Sequence, residues 1–313
     1  MTIPTPDDVL SAHARVRPHI VHTPLLRNAV LDKAVGRTIL IKPECLQRTG
    51  SFKLRGATNA LRRLAERGER RAVVAYSSGN HAQGVACAAA ALGVPATIVM
   101  PADAPAIKRE LTAFWGAVIV PYDRKTENRE AIAAAIVAQT GAALIPPYEH
   151  ADVIAGQGTA ALEVAADAAA LGLAVDAMIV CTGGGGFLAG CALGMQAASP
   201  GTKMYAAEPA GWDDTARSLA SGERLGNDGH GSGFCDAILT PIPGVLTFSI
   251  NRRLVTAGLT ATDDEVRAAQ AFAARHLKLV VEPGGAVALA AVLAGRAPAG
   301  DVVAITLSGG NVD

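Results

Sequence analysis

Cys181-Thr182-Gly183-Gly184-Gly185-Gly186-Phe187-Leu188 is the stretch on which the fold turns. It closes an apolar run, Ala177–Cys181, and opens an Ala-rich helical pattern, Phe187–Ala198. Four glycines strip the turn of side chains, so successive N–H groups can converge on one anion. A helix start adds partial positive charge, typically about 0.3–2 kcal/mol for an anion placed there. The stretch predicts a phosphate cradle; the competing reading is a tight turn in which glycine only permits close packing. No Gly-Lys-Ser/Thr follows, which excludes an ATP-type P-loop. A dinucleotide fingerprint stays open. Gly184, Gly186 and Ala189 fit G-x-G-x-x-A, and Glu208 stands about 20 residues on, where a ribose-binding acid belongs.

The same alternation extends in both directions. Strands are predicted at Ala72–Tyr76, Ala96–Met100, Ala117–Val120, Ala177–Cys181, Lys203–Ala207 and Val302–Leu307. Helices are predicted at Ala82–Leu92, Asn128–Thr140, Thr159–Leu171 and Phe187–Ala198. Continuous apolar strands between helices indicate an α/β protein with mostly parallel sheets buried on both faces. Thr262 followed by Asp263, Asp264 and Glu265 signals a capping box. Pro146-Pro147 marks a break between two αβ blocks, and Gly222–Gly233 reads as an exposed loop.

Composition narrows the function classes. Lys plus Arg equals Asp plus Glu at 28 each, so no net charge argues for nucleic acid or an anionic membrane. Half the residues are hydrophobic and 18% charged, enough to build a large core. Cys45, Cys87, Cys181, Cys191 and Cys235 are odd in number and form no C-x-x-C pair, as expected of reduced thiols in a cytoplasmic protein. The N-terminus lacks the apolar segment of a signal peptide, and no run is long enough to span a membrane.

Three further motifs lie at predicted element junctions. Ser51-Phe52-Lys53-Leu54-Arg55-Gly56-Ala57 puts a lysine at a helix start, where the macrodipole disfavours the ammonium form and suits a nucleophilic amine. Ser77-Ser78-Gly79-Asn80-His81 follows a strand and opens a helix; it could equally be a plain N-cap turn. Ser308-Gly309-Gly310-Asn311 follows the last strand, and strand ends in open α/β sheets are where ligands bind.

Taken together with Glu282-Pro283-Gly284-Gly285-Ala286, these motifs resemble those of the fold type II pyridoxal-phosphate enzymes, the tryptophan synthase β-like fold. Within that family the chain is most similar to the serine/threonine dehydratase and serine racemase branch, from about Thr23-Pro24-Leu25 to Asp313. The resemblance implies that Lys53 carries the cofactor covalently and moves the α-proton, and that Phe52 packs on the pyridine ring. Asn80 would bind the ring hydroxyl, Gly183, Gly184, Gly185 and Gly186 the phosphate, and Ser308 the ring nitrogen. Ser77, Ser78, Gly79, Asn80 and His81 would form the substrate-carboxylate turn. Ser78, where many threonine dehydratases have Ala, would act as acid or base opposite the lysine.

The activity so implied is elimination of water from a serine- or threonine-type β-hydroxy amino acid, giving a 2-keto acid and ammonia. Serine racemisation and 3-hydroxyaspartate dehydration are its alternatives. A β-replacement synthase and a nicotinamide oxidoreductase are remoter ones, beside a silent carrier of the cofactor. Glu208-Pro209-Ala210-Gly211-Trp212-Asp213-Asp214 resembles that branch's divalent-cation loop, with Glu208, Asp214 and the Trp212 carbonyl as ligands for Mg²⁺, Ca²⁺ or Mn²⁺. Trp212 replaces the small residue expected there, which a carbonyl ligand tolerates. The resemblance further implies a large domain of 1–70 and 150–313, an inserted small domain of 71–149 that closes over the substrate, and a homodimer or homotetramer. Since the sequence stops just after Asn311, no appended regulatory domain is expected.

Overall fold

A computed structural model of the chain describes residues 2–312. Among them the strands are β1 (Leu26–Arg27), β2 (Thr38–Pro43), β3 (Val73–Tyr76), β4 (Ala96–Pro101), β5 (Val118–Tyr122), β6 (Ala143–Leu144), β7 (Ala177–Cys181), β8 (Lys203–Pro209), β9 (Val255–Ala261) and β10 (Val302–Leu307). The helices are α1 (Pro6–Val16), α2 (Ala29–Val35), α3 (Lys53–Glu66), α4 (Asn80–Leu92), α5 (Ala106–Phe114), α6 (Arg129–Thr140), α7 (Ala151–Ala170), α8 (Gly186–Ala198), α9 (Asp214–Ser221), α10 (Val245–Leu254), α11 (Asp263–Phe272) and α12 (Pro283–Leu293).

Two sheets result. One has six strands in the order β1-β2-β10-β7-β8-β9, and the other has four in the order β5-β4-β3-β6. Every pairing is parallel except β1 with β2. The central strands β7 and β10 are buried along their whole length, which explains their unbroken apolar runs. The chain leaves the large sheet after β2, builds the small sheet from residues 73–144, and returns through Pro146-Pro147, the break expected from sequence. Thr262 caps α11 as anticipated: its hydroxyl accepts from Glu265 N and its own N–H donates to the Glu265 carboxylate at 2.8 Å.

Among the elements that differ from expectation are α7, β2 and β9. The helix predicted from Thr159 begins eight residues earlier, at Ala151, where His150 Nδ1 accepts from Val153 N. Gly156 and Gly158 form a packing notch. A Cβ at Gly158 would collide with the Gly190 carbonyl of α8, and one at Gly194 would lie 2.6 Å from the Gly158 carbonyl. Strand β2 escapes a hydropathy reading because it contains Lys42, which is fully buried and paired with Glu163 at 2.7 Å. Strand β9 is half-exposed and interrupted by Gly258, whose bare Cα faces Ala216 of α9.

Candidate active site

The parallel strands bring three turns together at their C-terminal ends. One cleft is lined by Phe52, Lys53, Ser77, Ser78, Asn80, His81, all four glycines 183–186, and Ser308. Motifs far apart in sequence are therefore neighbours in space. Gly79 lies just behind the lining: its N–H donates to Ser77 Oγ at 3.1 Å, and a Cβ there would collide with the Lys108 side chain.

Lys53 is the first residue of α3. Its Nζ donates to the Pro147 carbonyl at 3.0 Å and lies 5.1 Å from the Phe52 ring centre. Burial pulls its pKa down to about 8, with the Glu282 charge working the other way. A far larger neutral fraction is thus present at neutral pH than for an ordinary lysine. Phe52 stacks on Phe187 at 3.9 Å between ring centres, so one face of its ring is covered by protein. Phe52 N donates to the Ser308 carbonyl at 3.1 Å, and Ser51 bridges to Gly309, fixing the lysine motif against the C-terminal turn.

Two of the four glycine carbonyls are anchored by side chains of α10. The Gly184 carbonyl accepts from Thr247 Oγ1 at 2.7 Å, and the Gly185 carbonyl from Asn251 Nδ2 at 3.3 Å. The N–H groups of the first turn of α8 have no intrahelical acceptor. Glycine is required by shape: a Cβ at Gly184 would lie 2.5 Å from the Tyr148 ring, and Gly185 has φ +85°. This fits a phosphate group, and a nearby amine of lowered basicity fits a carbonyl group on the same ligand.

Asn80 is held by the other half of the cleft. Its Nδ2 donates to Glu282, and its Oδ1 accepts from Asn311 Nδ2 at 2.8 Å. Lys108 reaches across to Asp236 at 2.9 Å and Glu282 at 3.3 Å. Ser78 Oγ makes no protein hydrogen bond among the described residues. His81 Nε2 lies 2.8 Å from the Ile145 carbonyl. Burial, then the Lys53 charge, push its pKa down to about 3, so its imidazole is neutral and Nε2 donates.

Sequence reasoning missed the supports of this site. Arg55 is fully buried and grips both oxygens of Glu44 (2.7 and 2.8 Å) and of Glu163 (both 2.8 Å), clamping α3 to α7 two residues after Lys53. Its place in the S-F-K-L-R motif was the available signal. Arg129 and Lys108 also line the cleft, and neither stands in a motif. The Arg129 guanidinium lies 5.3 Å from the Tyr76 ring centre, and its nearest carboxylate, Glu130, is 4.0 Å away.

Glu208 is not part of the cleft lining, so it cannot serve as the ribose-binding acid of a dinucleotide site. It is fully buried, and its two oxygens accept from Thr215 N at 2.9 Å and Ala216 N at 2.8 Å. Burial and the neighbouring Asp214 charge push its pKa up to about 8; burial pushes Asp214 to about 6. Asp214 Oδ2 is buried without a partner. Two adjacent buried carboxylates with an orphaned oxygen fit a divalent cation. Among the described residues no group of three or more His, Cys, Asp or Glu side chains gathers, so such an ion would need backbone and water oxygens as well. Trp212 turns its indole outward to the Ser232 carbonyl at 2.8 Å.

An α/β cleft that pairs a four-glycine anion cradle with a low-basicity lysine defines a class: enzymes that hold a phosphorylated aldehyde cofactor. The family model described as "Pyridoxal-phosphate dependent enzyme" matches residues 16–309, and the chain belongs to that family. The dinucleotide reading is thereby overturned. The chain is 44% identical to the L-threo-3-hydroxyaspartate ammonia-lyase of Saccharomyces cerevisiae, over all of this chain and 95% of that protein. It is 39% identical to the serine racemase of Schizosaccharomyces pombe, over all of this chain and 96% of that protein. A crystal structure of maize serine racemase superposes with a TM-score of 0.94 at 36% identity, covering all of this chain and 95% of that one.

Proposed function

We propose that the chain is an ammonia-lyase for β-hydroxy amino acids whose preferred substrate is L-threo-3-hydroxyaspartate. The observation that carries this choice is Arg129, a cleft-lining guanidinium with no carboxylate partner closer than 4.0 Å among the described residues. Lys108, in contrast, is already shared between Asp236 and Glu282. The helix start at Asn80 suits an α-carboxylate, which leaves Arg129 for a second carboxylate. The 3-hydroxyaspartate ammonia-lyase relative supports the same reading. Keto-acid release from L-threo-3-hydroxyaspartate, L-serine and L-threonine tests it. The expected result is the highest kcat/KM for the dicarboxylate; serine or threonine ahead of it overturns the preference.

When bound, pyridoxal phosphate supplies an electron-withdrawing ring that acidifies the substrate α-proton. Its proposed holders are Lys53, the amides of Gly183–Gly186, Asn80, Phe52 and Ser308. Lys53 Nζ, once free, accepts the α-proton. That proton and the departing β-hydroxide together make up the water lost, and the released product then takes up water to yield 2-keto acid and ammonia. Ser308 would offer the ring nitrogen a neutral hydroxyl rather than a carboxylate, so the ring would be a weaker electron sink and prompt loss of the β-group would be favoured. Residues 71–149 form the proposed unit that closes over the substrate and excludes water.

The neutral amine is the species that captures the cofactor aldehyde. Reconstitution of apoprotein, followed by visible absorbance, is therefore expected to accelerate with pH and to reach half its maximum near pH 8, the pKa of Lys53. A midpoint near the ordinary lysine value would contradict the burial argument.

Serine racemisation is the second reading, favoured by Ser78, whose hydroxyl has no protein partner among the described residues and which lines the same cleft as Lys53. Ser78→Ala is expected to abolish racemisation, roughly a 10²-fold loss or more for a proton-transfer group, while elimination is partly kept. Chiral analysis of serine alongside keto-acid release separates the two. Equal racemisation by the variant sinks the acid–base role.

Glu208, Asp214 and the Trp212 carbonyl are the proposed ligands of a Mg²⁺, Ca²⁺ or Mn²⁺ ion, water completing the shell. A homodimer or homotetramer in the cytoplasm completes the reading; the five free cysteines support that compartment.

A further inference from the structure

We infer that Asn227 is a positioning residue that links the Glu208–Asp214 carboxylates to the wall of the active-site cleft, so that a cation bound at the first steadies the second. This rests on the cation reading above. Asn227 lies in the stretch Gly222–Gly233 that composition marks as an exposed loop, yet every polar atom of its side chain is committed. Its Nδ2 donates to Asp214 Oδ1 at 2.7 Å and to the Thr240 carbonyl at 2.8 Å. Its Oδ1 accepts from Arg217 Nη2 at 2.7 Å, and its backbone N–H donates to the Pro241 carbonyl at 2.7 Å. One amide therefore touches a proposed cation ligand on one side and residues 240–241 on the other.

That segment is the cleft wall. Asp236, Ile238, Thr240 and Pro241 all line the cleft. Ile238 presses on the phosphate cradle, for a Cβ at Gly183 would lie 3.0 Å from its Cα. Asp236 receives Lys108, which packs behind the substrate turn. The wall has little regular structure, with a single 3₁₀ turn at Asp236–Ile238, so polar ties of this kind decide how firmly it stands. At the other end Asp214 Oδ2 is buried without a partner. A cation there would fix the carboxylate, the carboxylate the Asn227 amide, and the amide the wall against which cofactor phosphate and substrate are held.

The experiment is hydrogen–deuterium exchange on the cofactor-loaded protein, with and without Mg²⁺, Ca²⁺ or Mn²⁺, for the natural protein and Asn227→Ala. KM for 3-hydroxyaspartate is measured in the same solutions. In the natural protein the cation is expected to protect both 208–216 and 236–241 and to lower KM, in the roughly 5- to 150-fold range typical of coupled sites. In Asn227→Ala, 208–216 is still protected at saturating cation, whereas protection of 236–241 and the KM response disappear. Equal protection of the wall in both proteins overturns the inference. So does a natural protein protected at 208–216 alone, or a variant that no longer binds cation at any concentration, since Asn227 would then be a support of the ligands and not a link. A natural protein with no response anywhere overturns the cation reading itself, and the inference with it.

Discussion

Lys53→Ala is expected to lose the visible absorbance of covalently held cofactor and to lower turnover by roughly 10³-fold or more, since one amine is both the tether and the α-proton acceptor. The effect should be chemical. Its ammonium makes one hydrogen bond, to the Pro147 carbonyl, and its own helix, α3, is held by Arg55. Arg55 makes the contrast. Removing it would strand Glu44 as a buried charge and leave Glu163 to Lys42 alone, a loss of about 3–5 kcal/mol in stability. Lys53→Ala should therefore keep its melting temperature as apoprotein. Retained absorbance and full turnover would show that another group carries the cofactor.

Arg129→Met is expected to separate substrates. Loss of a hydrogen bond to a charged group costs about 2 kcal/mol, or roughly thirtyfold in kcat/KM. That loss should fall on L-threo-3-hydroxyaspartate, while L-serine, which has no second carboxylate, changes by less than about threefold. Guanidinium and thioether both leave the Tyr76 ring covered, so the fold is not at stake. Equal losses for both substrates would place Arg129 on the α-carboxylate instead, and no loss for either would remove it from recognition.

Sequence carried the site motifs better than their supports, for a physical reason. Gly183–Gly186, Ser77–His81 and Ser308–Asn311 each sit where a buried strand ends, and both the apolar run and the turn residues leave a local mark. The cleft they form was legible because parallel strands put such ends on one side. The partners that orient the motifs come from far away and leave none. Glu282 reaches Asn80 across 202 positions, and Asp236 reaches Lys108 across 128. Strand β2 was hidden by Lys42, whose charge is cancelled by Glu163 on α7, a pairing that only tertiary structure supplies. The start of α7 was hidden by glycines that usually weaken helices but here let two backbones meet.

That meeting of α7 and α8 limits how the protein could be engineered. Replacing helical glycines with alanine is a common route to heat resistance, because the unfolded chain then has fewer conformations to lose. At Gly158, Gly190 and Gly194 the route is closed. The added methyl would meet a backbone carbonyl of the facing helix, and overpacking of this kind costs about 1–3 kcal/mol. Relief by moving α8, whose first residue belongs to the cradle, would shift the cradle together with the helix. A stabilising programme would do better at Gly68 or Gly233, which have open space around them, using asparagine at Gly68, where φ is positive.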